Sequence, residues 1–569
     1  MALFTVATAA AEGFSLPASA TAAPVLGGDD IVRASQALTA EVTAPAGMAR
    51  PFLAHQAAAY AYAKGSIARW GCAFLGDDMG LGKTQVLLAN IADAVASGGY
   101  AILVGPPVAW GTYETEVRAA FPGLTIAKLH GRTRKAAPAA DIYFLSDDAG
   151  TLAAWLTDIS TDARTGEPLK DAKGKVIRVA SKLTRGAAIF VRDEVHRDKG
   201  NQGKPSGRAK VSLIVGAELR SLGRPVVVAT GTLLVNRPVE GFIPLQIAGG
   251  DELVKAVSGP NARSKSHYLF RYCAPETSRF GTSFNGVDLE RAGELHDYLR
   301  RTVYVRREKS DLGDLLPHSG WVVTPIALNG ALGRYQRLER EFFNVILEEN
   351  GPEAAWRAKR AETITRMQKL WEEAGVAKAD AAVEYITDLI DQGRKVIVFF
   401  HHRAVRDALA LKLGRHKGAR LTVIDGSVKG DDRADAEAAI QTGDANVMLA
   451  NIRAAGMAIT LTAASEAVFV QVPWSAGDLA QAAGRIKRAD DISVERAKRG
   501  EAVTYHVIQA THENGDPTFD HAMWGILEVK AKVCDAVNAG RDITLPDESV
   551  TRQALQAWYD QTQAGGRYR

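Results

Sequence analysis

Short apolar runs alternate with helical spacing between residues 71 and 231. The runs 73–75, 101–104, 142–145, 188–191 and 226–229 are each bounded by turn residues. A helix-like segment usually follows, which is the signature of strands buried on both faces of a parallel sheet. The pattern recurs from 376 to about 508, with runs at 396–400, 421–424, 447–450, 467–470 and 503–508. Two similar α/β units in tandem are predicted. Between them, 240–375 is charged, and its second half is helical over 335–348 and 354–373. The polar stretch 161–176, with Gly166, Pro168 and Gly174, predicts an exposed hairpin or loop. After Pro517 a helical pattern runs to Asn538 and stops near Gly540.

The expected organisation follows. Residues 1–45 form an arm or small accessory element, 46–240 a first lobe, and 241–375 a helical insertion and linker. Residues 376–512 form a second lobe, and 513–569 a brace helix and a frayed tail.

Composition narrows this picture only slightly. The 569 residues are 46% hydrophobic and 24% charged, as in ordinary globular proteins, with a net charge of +4. A basic patch must therefore be local, and the insertion carries candidates in Arg300, Arg301, Arg306, Arg307, Lys309, Arg357, Lys359, Arg360 and Arg366. The three cysteines, Cys72, Cys273 and Cys534, lie too far apart for a zinc motif or a disulfide framework. No apolar run approaches the ~20 residues of a membrane span. The Ala-rich start lacks a basic region, and Glu12 interrupts it, so secretion is not expected. The expectation is an intracellular protein in a reducing compartment, the cytoplasm or nucleoid of a bacterium or phage-infected host, with no membrane partner.

Chemistry enters at Gly76-Asp77-Asp78-Met79-Gly80-Leu81-Gly82-Lys83-Thr84, after a predicted strand and opening a helix. A phosphate chain needs inward N–H groups, hence Gly80 and Gly82, and a helix N-terminus. It also needs an ammonium for the β/γ oxygens (Lys83) and a hydroxyl for Mg²⁺ (Thr84). Asp77 stands where the generic motif has its first glycine. The next signal is Asp193-Glu194-Val195-His196 at the end of a buried strand. There Asp193 would hold Mg²⁺ through its water shell, and Glu194 would orient and deprotonate the attacking water. In Gln481-Ala482-Ala483-Gly484-Arg485-Ile486-Lys487-Arg488, Arg485 and Arg488 are expected three apart on one helix face, as arginine fingers delivered by the second lobe. Thr230-Gly231-Thr232 follows a strand of the first lobe, and Gln56 could read adenine through its amide.

These motifs, in this order, resemble a superfamily-two helicase of the Swi/Snf family. The likeness runs from about Arg50 to Gly540. It includes 77–84, 193–196 with Lys199, 230–232 with Asn236, Val305-Arg306-Arg307-Glu308-Lys309 and Leu316-Pro317. In the second half it includes Asp425-Gly426-Ser427, Pro473-Trp474 and 481–488. Within the family the sequence is most similar to the HARP-type annealing helicases. That likeness rests on Ala377-Lys378, Glu384-Tyr385-Ile386, Val398-Phe399-Phe400-His401-His402, Ala454-Ala455-Gly456-Met457 and Thr460-Leu461-Thr462. Departures are Leu233-Leu234, Ala458, Lys487 and Ala489-Asp490, which bear on coupling rather than on ATP chemistry.

The resemblance implies two RecA-like P-loop lobes in tandem, with a helical insertion gripping duplex DNA and a C-terminal helical brace. It implies a DNA-dependent ATPase using ATP and Mg²⁺, working as a monomer on duplex or branched DNA. Gln481 joins the nucleotide contacts, and His196, Thr230 and Thr232 couple hydrolysis to motion. Candidate backbone contacts are Lys204, Arg208, Ser427 and Thr462. The motor would translocate on double-stranded DNA and remodel or anneal DNA structures; the alternative is a strand-separating DNA or RNA helicase.

Overall fold

The computed structural model describes residues 14–15, 28–198, 200, 203–231, 233, 238–278, 281–284, 288, 290–328, 332–348, 360–428, 431–455, 459–539 and 558–561. Lys199, Thr232, Leu234, Asn236, Arg357, Lys359, Gly456, Met457, Ala458 and the tail beyond 561 lie outside the described residues, as does most of the N-terminal arm. The chain forms two compact units: 1–312 with 534–543, and 313–533 with 544–569.

The first unit is built on an all-parallel, seven-stranded sheet. Helix α1 (Ala54–Trp70) ends at Gly71, whose φ of 67° is left-handed and whose N–H closes on the Ile67 carbonyl. The apolar run behind it becomes β1 (Cys72–Leu75), and α2 (Lys83–Val95) follows. Then come β2 (Tyr100–Gly105), α3 (Trp110–Ala120), β3 (Ile126–Leu129) and β4 (Ile142–Ser146). The series closes with β5 (Ala187–Asp193), α4 (Gly207–Ser221) and β6 (Val226–Ala229). A late strand, β7 (Tyr304–Val305), pairs with β1. The order across the sheet is β7-β1-β6-β5-β2-β4-β3.

The second unit repeats the plan. Its strands are β8 (Ser319–Ala327), β9 (Val396–Phe400), β10 (Leu421–Ile424), β11 (Val447–Asn451), β12 (Glu466–Phe469) and β13 (Val503–Thr511). All pairs are parallel, in the order β8-β13-β12-β9-β11-β10. Alternation along β9 fills two cores. Ile397 and Phe399 pack with Trp371, Met448 and Phe469, while Val396, Val398 and Phe400 pack with Ile386, Leu409 and Val447. Each such buried side chain contributes roughly 1.5–3 kcal/mol. The C-terminal helix α5 runs over Phe519–Ala539, close to the expected span, and sets Phe519, Met523 and Leu527 into this core.

The region read as one insertion over 241–375 is divided. Up to Leu312 it lies in the first unit and supplies β7; from Gly313 it lies in the second and supplies β8. Arg300, Arg306 and Arg307, counted above with the basic residues of the insertion, are buried. The polar stretch is an antiparallel hairpin, Thr157–Ile159 against Arg178–Ala180, extended by bridges Thr161–Pro168 and Lys170–Val176.

Candidate functional site

The glycine loop leaves β1 and enters α2, as the sequence requires. Gly80 and Gly82 have φ of 85° and 80°, a left-handed region that side chains rarely adopt. A Cβ on Gly82 would lie 2.1 Å from Gln56 Nε2. The Lys83 ammonium sits inside the loop, donating to the Asp77 carbonyl at 2.7 Å and the Asp78 carbonyl at 3.2 Å. Burial pulls its pKa below the usual range, although Glu194, Asp77, Asp78 and Asp193 oppose the shift. The cradle therefore already holds a cation among main-chain oxygens and carboxylates. Gln56 lies against the loop; its Oε1 accepts from Leu53 N at 3.0 Å and its Nε2 donates to Leu81 O at 3.3 Å. A second N–H and a second lone pair remain on the amide.

Two arginines far along the chain hold this loop. The Arg307 guanidinium bonds Asp77 Oδ2 at 2.8 Å and the His55 carbonyl at 3.0 Å, and its main-chain N–H bonds Asp77 Oδ1 at 2.9 Å. Arg306 donates to the carbonyls of Gly76 at 2.9 Å and Gly231 at 3.0 Å. Asp77, at the position of the missing glycine, is thus the anchor of a buried ion pair. A buried arginine is tolerable only with such partners. The charge pattern alone gave no sign of this role.

The acidic pair lies two strands away from β1. Asp193 ends β5, and its Oδ2 accepts from the Tyr113 hydroxyl at 2.8 Å. Burial, reinforced by the neighbouring Glu194 charge, raises Asp193 to about 6. Glu194 has φ of 52°, unusual for a residue with a side chain, and turns its carboxylate towards His196 and Thr230. His196 Nδ1 is 3.2 Å from Glu194 Oε2 and 2.9 Å from Thr230 Oγ1, and the Thr230 hydroxyl is 3.4 Å from the same carboxylate oxygen. A Cβ on Gly231 would meet Met79 at 2.4 Å and Lys83 Nζ at 3.2 Å. Lys83, Asp193, Glu194, His196 and Thr230 therefore gather at the C-terminal ends of the adjacent strands β1, β6 and β5, where open α/β sheets bind ligands. Thr84 opens α2 beside Lys83. Tyr113, on α3, had no distinguishing sequence signal.

In the second unit the helix carrying Gln481 spans Ala476–Ala483 and ends there. Arg485 and Arg488 are accordingly not on one helix face: Gly484 caps the helix, Arg485 follows in a turn, and Arg488 lies beyond it outside any regular element. They converge all the same. Arg488 donates to the Ile459 carbonyl at 3.0 Å and to Thr460 Oγ1 at 2.9 Å, and Arg485 reaches the same carbonyl at 3.5 Å.

Among the candidate DNA contacts, Lys204 and Ser427 are exposed. Ser427 N is held by Asp425 Oδ1 at 2.7 Å; although burial works against it, hydrogen bonds from Ser427 and Arg406 hold the Asp425 carboxyl down to about 2. Arg208 pairs with Asp147 Oδ2 at 3.2 Å. Thr462 is a correction. It is fully buried, and its hydroxyl donates to Asp490 Oδ2 at 2.7 Å, so it presents no surface to a polynucleotide.

Residues 377–490 match the helicase conserved C-terminal domain. The mouse DNA annealing helicase and endonuclease ZRANB3 is 28% identical over 63% of this chain and 30% of its own length. The bovine SWI/SNF-related matrix-associated actin-dependent regulator of chromatin subfamily A-like protein 1 is 26% identical over 55% of this chain and 30% of its own. The match thus spans about a third of these curated relatives. A solved Sulfolobus solfataricus SWI2/SNF2 ATPase core in complex with dsDNA is 16% identical, with a TM-score of 0.35, over 88% of this chain and 96% of that one. The likeness to Swi/Snf-related and annealing-helicase proteins, read first from the motifs, is borne out by these relatives.

Proposed function

We propose that this Swi/Snf-like chain is an ATP-hydrolysing motor that translocates on double-stranded DNA and remodels or anneals DNA structures. The observation that carries the proposal is the gathering of Lys83, Asp193, Glu194, His196 and Thr230 at the C-terminal ends of three adjacent strands of one sheet. The relatives' names, which speak of DNA annealing and of chromatin, support the choice of polynucleotide.

In this reading Lys83 leaves the carbonyls of Asp77 and Asp78 for the β/γ-phosphate oxygens, while main-chain N–H groups around Gly80 and Gly82 cradle the chain. Thr84 and Asp193 would hold Mg²⁺, which when bound supplies positive charge to the phosphate oxygens. Glu194 orients the attacking water and takes its proton. His196 and Thr230 fix the Glu194 carboxylate and relay its state to the segment after β6. Gln56 offers its remaining N–H and lone pair to adenine, and Gln481 joins the nucleotide contacts. Arg485 and Arg488 act as arginine fingers, stabilising charge on the transferred phosphoryl group. Lys204, Arg208 and Ser427 contact the DNA backbone.

The test is ATPase activity measured with duplex, single-stranded, forked and RNA cofactors side by side. Duplex DNA of any sequence should stimulate turnover, less so as salt rises. Stimulation by RNA alone would replace this reading with a strand-separating helicase.

A further inference from the structure

In the second unit one helix face grips the segment on which the two proposed fingers rest. The helix Asp431–Gln441 follows β10 and carries Arg433, Glu437 and Gln441, each four residues from the next and so on one side. The Arg433 guanidinium donates to the Ala454 carbonyl at 2.6 Å. The Glu437 carboxylate accepts the Thr460 main-chain N–H at 2.7 Å. Gln441 accepts the Ala463 N–H at 2.8 Å, and its amide donates to the Thr462 hydroxyl at 3.3 Å. Ala454 and the stretch 460–463 are thereby fastened by three successive turns of one helix.

That stretch is the seat of the arginines. Arg488 donates to Thr460 Oγ1 at 2.9 Å and to the Ile459 carbonyl at 3.0 Å, and Arg485 reaches the same carbonyl at 3.5 Å. The Leu461 N–H also bonds the Arg485 carbonyl, at 3.0 Å. Two guanidiniums on one carbonyl repel each other, and a carboxylate beside them offsets that repulsion. Glu437 is such a carboxylate. Burial pushes its pKa up, while the Thr460 N–H and the charges of Arg488, Arg433 and Arg485 pull the other way. Glu437 lies outside every motif read in the sequence, and only the fold brings it to the arginines.

We infer that Glu437 is a positioning residue for the Arg488 finger: through Thr460 it fixes the seat of that side chain, and its charge lets Arg485 share the Ile459 carbonyl with it. This inference rests on the proposal that Arg488 stabilises the transferred phosphoryl group.

The test is DNA-stimulated ATP hydrolysis by the full chain over a range of ATP concentrations, with melting temperature as the control for folding. Glu437→Ala should lower kcat about tenfold and leave KM for ATP within about twofold, because a finger acts on the transition state more than on bound ATP. Glu437→Gln keeps an acceptor for Thr460 and loses the charge. Its kcat should fall about threefold, since a charged acceptor bonds roughly twice as strongly as a neutral one. A double-mutant cycle, read by single-turnover hydrolysis of labelled ATP, separates positioning from a general structural role. In an Arg488→Ala chain, Glu437→Ala should bring no further loss, because the side chain it positions is gone. The same loss in both backgrounds, or wild-type kcat in either Glu437 variant, would overturn the inference. If Glu437→Ala does not fold, Glu437→Gln takes its place in the cycle, with the same two outcomes. Wild-type turnover in Arg488→Ala alone would instead remove the parent reading of that arginine as a finger.

Discussion

The two sheets share one winding and differ in what stands at the ends of equivalent strands. Five strands of the first follow the order β6-β5-β2-β4-β3, and five of the second follow β13-β12-β9-β11-β10; in chain order the two arrangements are the same. The strand outside β6 is β1, and the strand outside β13 is β8. In the first unit β1 runs into the glycine loop and Lys83, and β5 runs into Asp193 and Glu194. In the second, β8 runs into the buried Leu328, and β12 runs through Val470 to Gln471, a buried neutral amide. Gln471 Oε1 accepts from the main-chain N–H groups of His401 and His402, each at 3.0 Å. One scaffold therefore carries the proposed phosphate site in one unit and serves packing and hydrogen bonding at the equivalent strand ends of the other. The fold sets where a site can stand, and a few residues at strand ends decide whether one does.

The largest effect should come from Lys83→Ala, which removes the cation of the first loop and should bring DNA-stimulated ATP hydrolysis down to background; turnover at the wild-type rate would place the phosphate site elsewhere. Arg488→Ala asks whether the second unit also serves the reaction. Turnover should fall by ~10³–10⁵, the worth of an arginine finger, with poor rescue by Arg488→Lys. Glu194→Gln should retain ATP binding and slow single-turnover hydrolysis by roughly 100-fold or more, the scale of a lost general base.

Gln471→Ala probes the equivalent strand end in the second unit and should behave as a stability change. It leaves two part-buried N–H groups without their acceptor, at up to about 1–3 kcal/mol, read as a lower denaturation midpoint. The smallest effect is expected from Asp193→Asn. The folded carboxyl is raised to about 6 by burial and Glu194, above its unfolded value near 3.9. Between these values the folded state binds the proton more readily, so wild-type stability falls as pH rises through that window. The Asn variant should accordingly melt higher than the wild type above about pH 6, and the gain should shrink as pH falls towards 4. A gain independent of pH would show that Asp193 is not held in an unfavourable charged state.

Strands whose apolar runs stand between turn residues were legible in the sequence, because burial on both faces leaves little else at those positions: 73–75 and 396–400 are examples. The strands β7 and β8 were not. Tyr304-Val305 is two residues long and is followed by Arg306 and Arg307, while β8 contains Gly320 and Pro325 and leaves Trp321, Val322 and Val323 exposed. The loop, the acidic pair and Thr230 could be read because their spacing to strand ends is local. Arg306 and Arg307 could not, since a charge run gives no indication that its guanidiniums are buried against carbonyls a lobe away in sequence. The helix end at Ala483 was also hidden, because the apolar spacing continues through Ile486 after Gly484 has closed the helix.

The ion pair between Arg307 and Asp77 joins residues 230 positions apart. During synthesis at ~5–20 residues per second, the glycine loop leaves the ribosome roughly 10–50 s before the arginines that hold it. Until then the sheet lacks its outer strand, and Asp77 is a carboxylate with no counter-charge from Arg307. Maturation of the nucleotide loop is thus a late event in the chain's birth, set by a contact of long sequence separation. An isolated first lobe cut near residue 249 would carry every expected ATP motif of that lobe and still lack this brace. A fragment meant to report on the lobe alone should run to Leu312.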